Sequence, residues 1–462
     1  MTAIIYQNPA CDVTLIDIPK SIAGAQGRSD DIEIISCPPL EEPYEIRNEP
    51  KKPKAREKHA AYSETQVHTE YKAAIELAMS SIRCNLHPGG SWCLPRKLMT
   101  QAPNCGKTEK EVAEKDIEAR LREWSTSKGD DDDAFNFEKM MASLGAASEA
   151  NATSIETATH AWLVSYGPAV GSTTEAHGDE SVSSKDPWMS YFYNSQNRAA
   201  DLTVSANPSH SEGAPHEYSF KIPPRASFFL SDSTEPGSFR ASFRELTEEY
   251  VLPRHFDFVL LDPPWPSGSA KRKVAYEQIG GMPYMRKLLS KLDLDNYLEH
   301  NAIVGVWITN KQAARDLVLG PGGLFENWNV GLIEEWIWVK TTSKGEPMFS
   351  MDSIWRKPYE TLLLGRAAPN SWTTMASAPE IKRRVIAAVP DIHSRKPCLK
   401  ELIEPHLPPD YSALEIFARY LVAGWTSWGN EAIKFNWDKY WTTKREDDGA
   451  PPPPSPPHEL QS

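Results

Sequence analysis

The chain has 462 residues, a formal net charge of −13, and 40% hydrophobic and 10% aromatic residues. That length allows one large catalytic unit with ancillary segments. The charge excludes a protein that grips a polyanion over its whole surface, so any nucleic-acid contact must come from a local basic patch. Six cysteines without a CxxC pair predict neither a disulfide framework nor a zinc ribbon, and fit a reducing, intracellular setting. No membrane-length apolar run and no signal-peptide pattern are visible, which predicts a soluble protein without a membrane partner.

Residues 1–60 read as a flexible N-terminal segment. Its basic run Lys51-Lys52-Pro53-Lys54-Ala55-Arg56-Glu57-Lys58 is either a nuclear import signal or a solvated linker; the first reading predicts a nuclear protein, with the cytoplasm as a further location. Residues 61–215 read as a partly helical, partly disordered accessory region with acidic and Ser/Thr-rich loops, including Asp130 to Asp133. Tyr71, Ala74, Ile75, Ala78, Met79 and Ile82 share one face of a helix over 69–83. Val112, Ile117, Leu121 and Trp124 do the same over 110–124. Both stripes need a partner surface, for which the catalytic domain is the first candidate and a protein partner the second. Cys84, His87, Cys93 and Cys105 match no standard metal module and read as ordinary residues, so no metal is expected.

The texture changes over 216–444, where short apolar runs alternate with helical patterns. Strands are predicted at 256–262, 303–308, 332–339, 359–365, 384–389 and 414–417, with helices at 283–299, 311–318 and 398–406. Alternation of this kind predicts an α/β fold, an open sheet with helices on both faces. Ligands in such sheets sit beyond the carboxyl ends of strands. The tail 445–462 is Pro-rich, a polyproline II segment that is inert or a ligand for a proline-reading partner.

The first strand of this domain runs into Asp262-Pro263-Pro264-Trp265. These residue types suit chemistry on an exocyclic amine such as adenine N6, a poor nucleophile with two weakly acidic protons. Asp262 offers a carboxylate acceptor, the Pro263 carbonyl a second one, and the paired prolines fix the backbone. Trp265 offers a face for stacking, worth about 1–3 kcal/mol per base. The plainer alternative is a strand ending in Asp, a Pro-Pro turn and a Trp in the core.

From Phe229 to Trp441 the sequence resembles the MT-A (seventy-kilodalton subunit) family of adenine-N6 methyltransferases, and most closely its methyltransferase-like 4 branch. The matching segments are DPPW at 262–265, VWITNKQ at 306–312, EEWIWVKTTSKGE at 334–346, RKPYETLLLGR at 356–366, HSRKP at 393–397 and LEIFARYLVAGWTSWGNEAIKF at 414–435. The resemblance implies a Rossmann-like class I methyltransferase fold with S-adenosylmethionine as methyl donor. By position it makes Asp262 the catalytic acceptor, near the donor's amine, and pairs Lys396 with the donor's carboxylate. Asp232 falls at a strand end touching the donor's adenine, and Arg419, Asn430 and Glu431 fall at its ribose and adenine. The chain departs from the family pattern at Tyr420, where an asparagine is usual, at Val422-Ala423 in place of Gln-Pro, and at Arg395 in place of His.

After DPPW, Lys271, Arg272 and Lys273 stand beside Tyr276. In an acidic chain this run reads as a phosphate clamp with an aromatic near the target base, or else as a solvated loop. Lys382, Arg383 and Arg384 form a second basic cluster. The branch resembled acts on adenosine in small nuclear RNA, with a preference for 2′-O-methylated targets, and some relatives act on DNA adenine. The expected substrate is therefore single-stranded or looped RNA. The alternatives are DNA, or a non-catalytic RNA-binding or scaffold subunit.

Overall fold

The computed structural model describes residues 2–27, 32–45, 65–86, 90–98, 109–126, 161–168, 186–208, 217–266, 281–354 and 356–443. The basic runs at 51–58 and 271–273, Tyr276, Asp130 to Asp133 and the Pro-rich tail lie outside them. In chain order the first elements are β1 (Ile4–Gln7), β2 (Val13–Ile16), α1 (Ile18–Gly24), β3 (Ile32–Ile34), α2 (Gln66–Asn85) and α3 (Glu109–Thr126). Then come β4 (Trp162–Pro168), β5 (Asp186–Pro187), β6 (Tyr191–Tyr193), β7 (Ala200–Ala206), β8 (Glu217–Ile222), β9 (Ser227–Phe229), α4 (Pro236–Glu249), β10 (Phe256–Leu261) and α5 (Gly281–Ser290). The remainder holds β11 (Leu298–Ile308), α6 (Gln312–Leu319), α7 (Leu324–Asn327), β12 (Val330–Lys340), β13 (Tyr359–Ala367) and β14 (Lys382–Ala388). It closes with α8 (Lys400–Ile403), β15 (Ala413–Ile416), β16 (Trp425–Trp428) and β17 (Trp441–Thr443).

Eleven strands form one sheet in the order β1-β2-β14-β12-β13-β11-β10-β15-β16-β9-β6. Pairing is parallel except at β13, which runs against both neighbours, and at the edge strands β1 and β6. The apolar runs are buried on both sides, as a central parallel sheet requires. In β10, Phe258 and Leu260 enter one core while Val259 and Leu261 enter the other. Helices α4 to α7 cover the second face, and α1 and α3 pack on the first. This is the mixed α/β sheet flanked by helices expected of a class I methyltransferase fold. The chain leaves β10 for β11 on one side and returns as β15 on the other. That reversal opens a crevice at the carboxyl ends of β10 and β15, where α/β sheets bind ligands.

The N-terminal half differs from expectation. Residues 1–60 are not flexible throughout, because β2 pairs in parallel with β14 and β1 extends the edge. Their short apolar runs complete a sheet that would otherwise expose β14. Besides its two expected helices, 61–215 carries strands β4, β5 and β7, which join β8 in a separate four-stranded antiparallel sheet. The alternation of Leu202 and Val204 with polar residues in β7 carries that signal. The boundary placed at 216 therefore separates β7 from its partner β8. The predicted helix over 283–299 stops at Ser290, since Asp293 takes a left-handed backbone (φ 45°) and Leu298 already starts β11.

Both predicted N-terminal helices form, and both spend the described residues of their apolar stripes inside the molecule, the Val112 side chain lying outside that description. Thr65 caps α2, its hydroxyl accepting from the His68 N–H at 3.2 Å. Its buried residues Tyr71, Ile75, Ala78, Met79 and Ile82 pack on Leu15, Ile337, Val339, Val385 and Ala387. In α3, Ile117, Leu121 and Trp124 enter the core of the other face. These stripes are not available to a separate protein, which corrects that expectation. A chain beginning at residue 210 would lack β1, β2, β6, α2 and α3. It is expected to lose cooperative thermal unfolding, as read by circular dichroism; a transition at the full-length midpoint would show that the two halves are separable.

Candidate active site

The crevice residues arrive at one edge for a topological reason. Strands β9, β10, β15 and β16 are parallel and end there, and the antiparallel β13 begins there with Tyr359 and Glu360 opposite the ends of β11 and β12. Asp262 follows β10, its backbone N–H donating to the Ile416 carbonyl at 3.3 Å. The Asp262 side chain retains 31% exposure, so it lines the crevice and remains reachable.

Lys396 ties the cluster together. Its Nζ lies 3.5 Å from Asp262 Oδ1 and forms an ion pair with Glu360. The ammonium sits over the ring faces of Trp307 and Trp338, 4.7 and 5.4 Å from their centroids. Lys340 pairs with the other oxygen of Glu360. Burial raises the carboxyls of Asp262 and Glu360 alike, but neighbouring charges separate them. For Glu360, the attraction of Lys396 and Lys340 outweighs burial and holds the group well below the usual range. For Asp262, burial and the Glu360 charge outweigh Lys396 and Arg419, and the value rises. Burial lowers the Lys396 value, yet the two carboxylates outweigh it and keep the ammonium charged.

The turn after Asp262 is held from several sides. The Pro263 carbonyl accepts from the Trp265 N–H at 2.8 Å, and Lys311 donates to the Pro266 carbonyl. Trp265 does not offer its face to the crevice. Its ring is buried among Val259, Leu261 and Ile308, and Nε1–H donates to the Trp307 carbonyl at 2.7 Å. The stacking role expected for it is corrected by this packing: the indole anchors the turn from beneath. In the same surroundings, Asn310 of the VWITNKQ segment donates to the Tyr359 carbonyl at 2.6 Å and fixes the residue before Glu360.

The remaining predicted residues divide between crevice and local structure. Arg419 Nε lies 3.3 Å from Glu431 Oε2, with Lys434 at 3.7 Å from the same oxygen. Phe417, at the end of β15, has a left-handed backbone (φ 65°), a strained conformation for an aromatic residue. It redirects the chain so that the Ala418 N–H donates to the Trp428 carbonyl at 3.2 Å, which brings Arg419 beside the end of β16. Asn430 is half-buried at that strand end. Asp232 Oδ1 accepts from the Thr234 N–H at 2.8 Å and shapes the turn from β9 into α4. In the second basic cluster, Arg383 pairs with Glu335 and Glu70, and Arg384 with Glu334. Those two cations are therefore committed inside the fold.

Sequence reasoning missed Glu360, Lys340 and Glu415. Glu360 stood inside the quoted segment RKPYETLLLGR, and its only sequence signal was a carboxylate at the start of an apolar strand. Glu415 lies in β15 among buried residues, and burial with the nearby Asp262 charge pushes its carboxyl up to about 8. Tyr420, the departure beside it, is buried with its hydroxyl against Cys398.

Arg395, the third departure, is wholly buried with Asp391, at 2.9 Å. It also donates to the Ile35 carbonyl at 2.8 Å, while Asp391 accepts from the Cys37 N–H at 3.0 Å. Its Nε and Nη2 meet no acceptor among the described residues, and the rings of Phe435 and Tyr440 cover the guanidinium at 4.5 and 5.1 Å. This pair fastens the loop that carries Lys396 to the N-terminal segment.

Residues 256–431 match the MT-A70 family. The chain is 42% identical over 221 residues to the N6-methyladenosine RNA methyltransferase MTA1 of Cryphonectria parasitica, covering 47% of this chain and 61% of that protein. It is 36% identical over 222 residues to the N(6)-adenine-specific methyltransferase METTL4 of Homo sapiens, covering 47% and 43%. To a DNA N6-methyl methyltransferase of Caenorhabditis elegans it is 29% identical over 215 residues, covering 46% and 53%. The chain thus spans between 43% and 61% of the length of these relatives.

Two measurements test the electrostatics. Asp391→Ala strands a buried guanidinium and is expected to cost about 3–5 kcal/mol in denaturant unfolding, whereas the paired change Asp391→Leu with Arg395→Met restores most of it. A loss below about 1 kcal/mol for the single variant would contradict this account. Glu415 binds its proton more tightly folded than unfolded, so it subtracts stability as pH rises from the ordinary glutamate range through about 8. Midpoints of wild type and Glu415→Gln should nearly coincide at about pH 4, below the ordinary glutamate range, and separate in favour of the variant by about pH 9; parallel curves would refute the shift.

Proposed function

We propose that this chain, which carries an MT-A70 domain over residues 256–431, transfers a methyl group from S-adenosylmethionine to N6 of adenosine in RNA. The observation that carries the reading is Asp262, a reachable carboxylate at the switch point, held beside the Lys396–Glu360 pair. The donor's amino-acid end has one anion and one cation. The crevice offers the complement, an ammonium flanked by two carboxylates. Glu431 adds an acceptor able to take both ribose hydroxyls, while Asp232, Arg419 and Asn430 stand at neighbouring strand ends for the nucleoside part. When bound, the donor supplies an already activated methyl group.

The residues of this chain then bind and orient. Asp262 accepts a hydrogen bond from one N6–H, and the second lone pair of the Pro263 carbonyl accepts one from the other. The raised carboxyl of Asp262 suits it to stabilise positive charge growing on the amine. Lys396 stays charged and holds Asp262 in place. Alignment of amine and methyl carbon supplies much of the acceleration. A paired adenine would first have to leave its duplex, so an unpaired site is the easier substrate. The RNA reading rests on the 42% identity to an RNA methyltransferase against 29% to the DNA enzyme. Small nuclear RNA with 2′-O-methyladenosine is the specific target class of this reading, and the nucleus, reached through residues 51–58, its location.

The test is transfer of labelled methyl by the full chain to RNA with and without the 2′-O-methyl mark, and to single-stranded DNA, at equal salt. Label is expected in N6-methyladenine of RNA, with Asp262→Asn lowering the rate by about 10²–10³. Equal rates for Asp262→Asn and wild type would sink the mechanism, and label confined to DNA would replace the substrate.

A further inference from the structure

Many cations of the described residues are spent on ion pairs. Arg315 and Arg383 meet Glu335, Arg384 meets Glu334, Arg254 meets Glu248, and Lys434 meets Glu118. The outer face of α4 and α5 is different. An open depression of about 550 Å³ is lined there by Pro236, Arg240, Lys287, Ser290, Lys291 and Asp293. Lys287 and Lys291 are exposed, and their ammonium groups meet no carboxylate among the described residues. Four residues apart, they project from one face of the chain as it leaves α5.

Asp293, the acid lining the depression, is committed to orienting Arg240. The Arg240 guanidinium donates to Asp293 at 2.6 Å and to the Lys291 carbonyl at 2.9 Å. Pro236 brings in the first turn of α4, whose positive dipole end favours an anion. Tyr284, 37% exposed, stands three residues before Lys287 on the same face. Position links this face to the crevice. Helix α4 begins four residues after Asp232, and the Asp232 charge acts on Tyr284 in the first turn of α5, beyond which Lys287 and Lys291 follow toward the start of β11.

We propose that this depression seats the phosphodiester backbone of the nucleic-acid substrate beyond the target adenine. Lys287 and Lys291 neutralise successive phosphates there, with Arg240 held ready beside them. The two lysines are about 6 Å apart along the helical axis, a spacing suited to neighbouring phosphates of an extended strand. The inference rests on the nucleic-acid reading above, and binding is measured separately from methyl transfer so that the two can fail independently.

The experiment is fluorescence anisotropy of a labelled single-stranded RNA with the full chain over a salt series, without donor. Each phosphate contact on a single strand contributes about 0.7 to the slope of log K against log salt, so Lys287→Ala with Lys291→Ala should lower that slope by about 1.4 and weaken binding severalfold. The control pair Lys115→Ala with Lys439→Ala, which removes the same charge from other exposed positions, should keep the wild-type slope. A wild-type slope in the Lys287/Lys291 variant, or the same fall in the control, overturns the track. If wild type binds RNA with this dependence yet transfers no methyl group, the track stands and the enzymatic reading falls.

Discussion

One ammonium group, Lys396, holds together a cluster that would otherwise be unstable. Two carboxylates, Asp262 and Glu360, meet at a strand edge where water is partly excluded, and like charges so placed cannot both ionise cheaply. Lys396 between them makes the arrangement possible, and its seat over Trp307 and Trp338 adds cation–π attraction while limiting solvent access. Unequal sharing has a chemical consequence. Glu360, with two ammonium partners, is fixed as an anion, while Asp262, with a weaker share and a rising value, is the carboxylate that responds to a new charge nearby. Environments that push two carboxyls apart are how sites assign different tasks to the same side chain.

The rest of the fold serves that placement. Insertion of antiparallel β13 between β11 and β12 is what delivers Glu360 to an edge otherwise made of strand ends. The loop bearing Lys396 is fastened by Arg395 and Asp391 to residues 35–37, and Arg96 donates to the carbonyls of Val389, Pro390 and Cys37. On the other side of the crevice Lys434 links Glu431 to Glu118 of α3. Segments far apart in the sequence thus share one charged neighbourhood. This is why the N-terminal half belongs to the same body as the candidate site.

Much of this was legible in the sequence where periodicity was strong. The buried strands from β10 to β15, the stripes of α2 and α3, and the Asp-Pro-Pro-Trp turn were all readable, because apolar runs and proline constraints are local. What could not be read was non-local. Residues 4–16 look unremarkable until β14 lacks a neighbour, and a short edge strand carries little signal of its own. Trp265 was ambiguous for a related reason: an indole after a proline turn suits either a base or a core. The Trp307 carbonyl, supplied from another strand, decides it. Glu360 depends likewise on the direction in which β13 enters the sheet.

Charge distribution bears directly on the proposed nucleic-acid substrate. Arg383 and Arg384 look in sequence like a basic patch, yet the fold commits both to glutamates, where they hold α2 and β12 in place. Cations used in this way add nothing to long-range attraction, so the net charge of −13 repels nucleic acid except where unpaired lysines gather. Binding built from a few such contacts is weak and salt-sensitive. Under the proposed function, discrimination among adenines comes from what fits the crevice: an unpaired base whose amine reaches Asp262, and a sugar whose 2′ position is tolerated there. On the proposed reading, this chain chooses its substrate at the site of chemistry rather than by its hold on the strand.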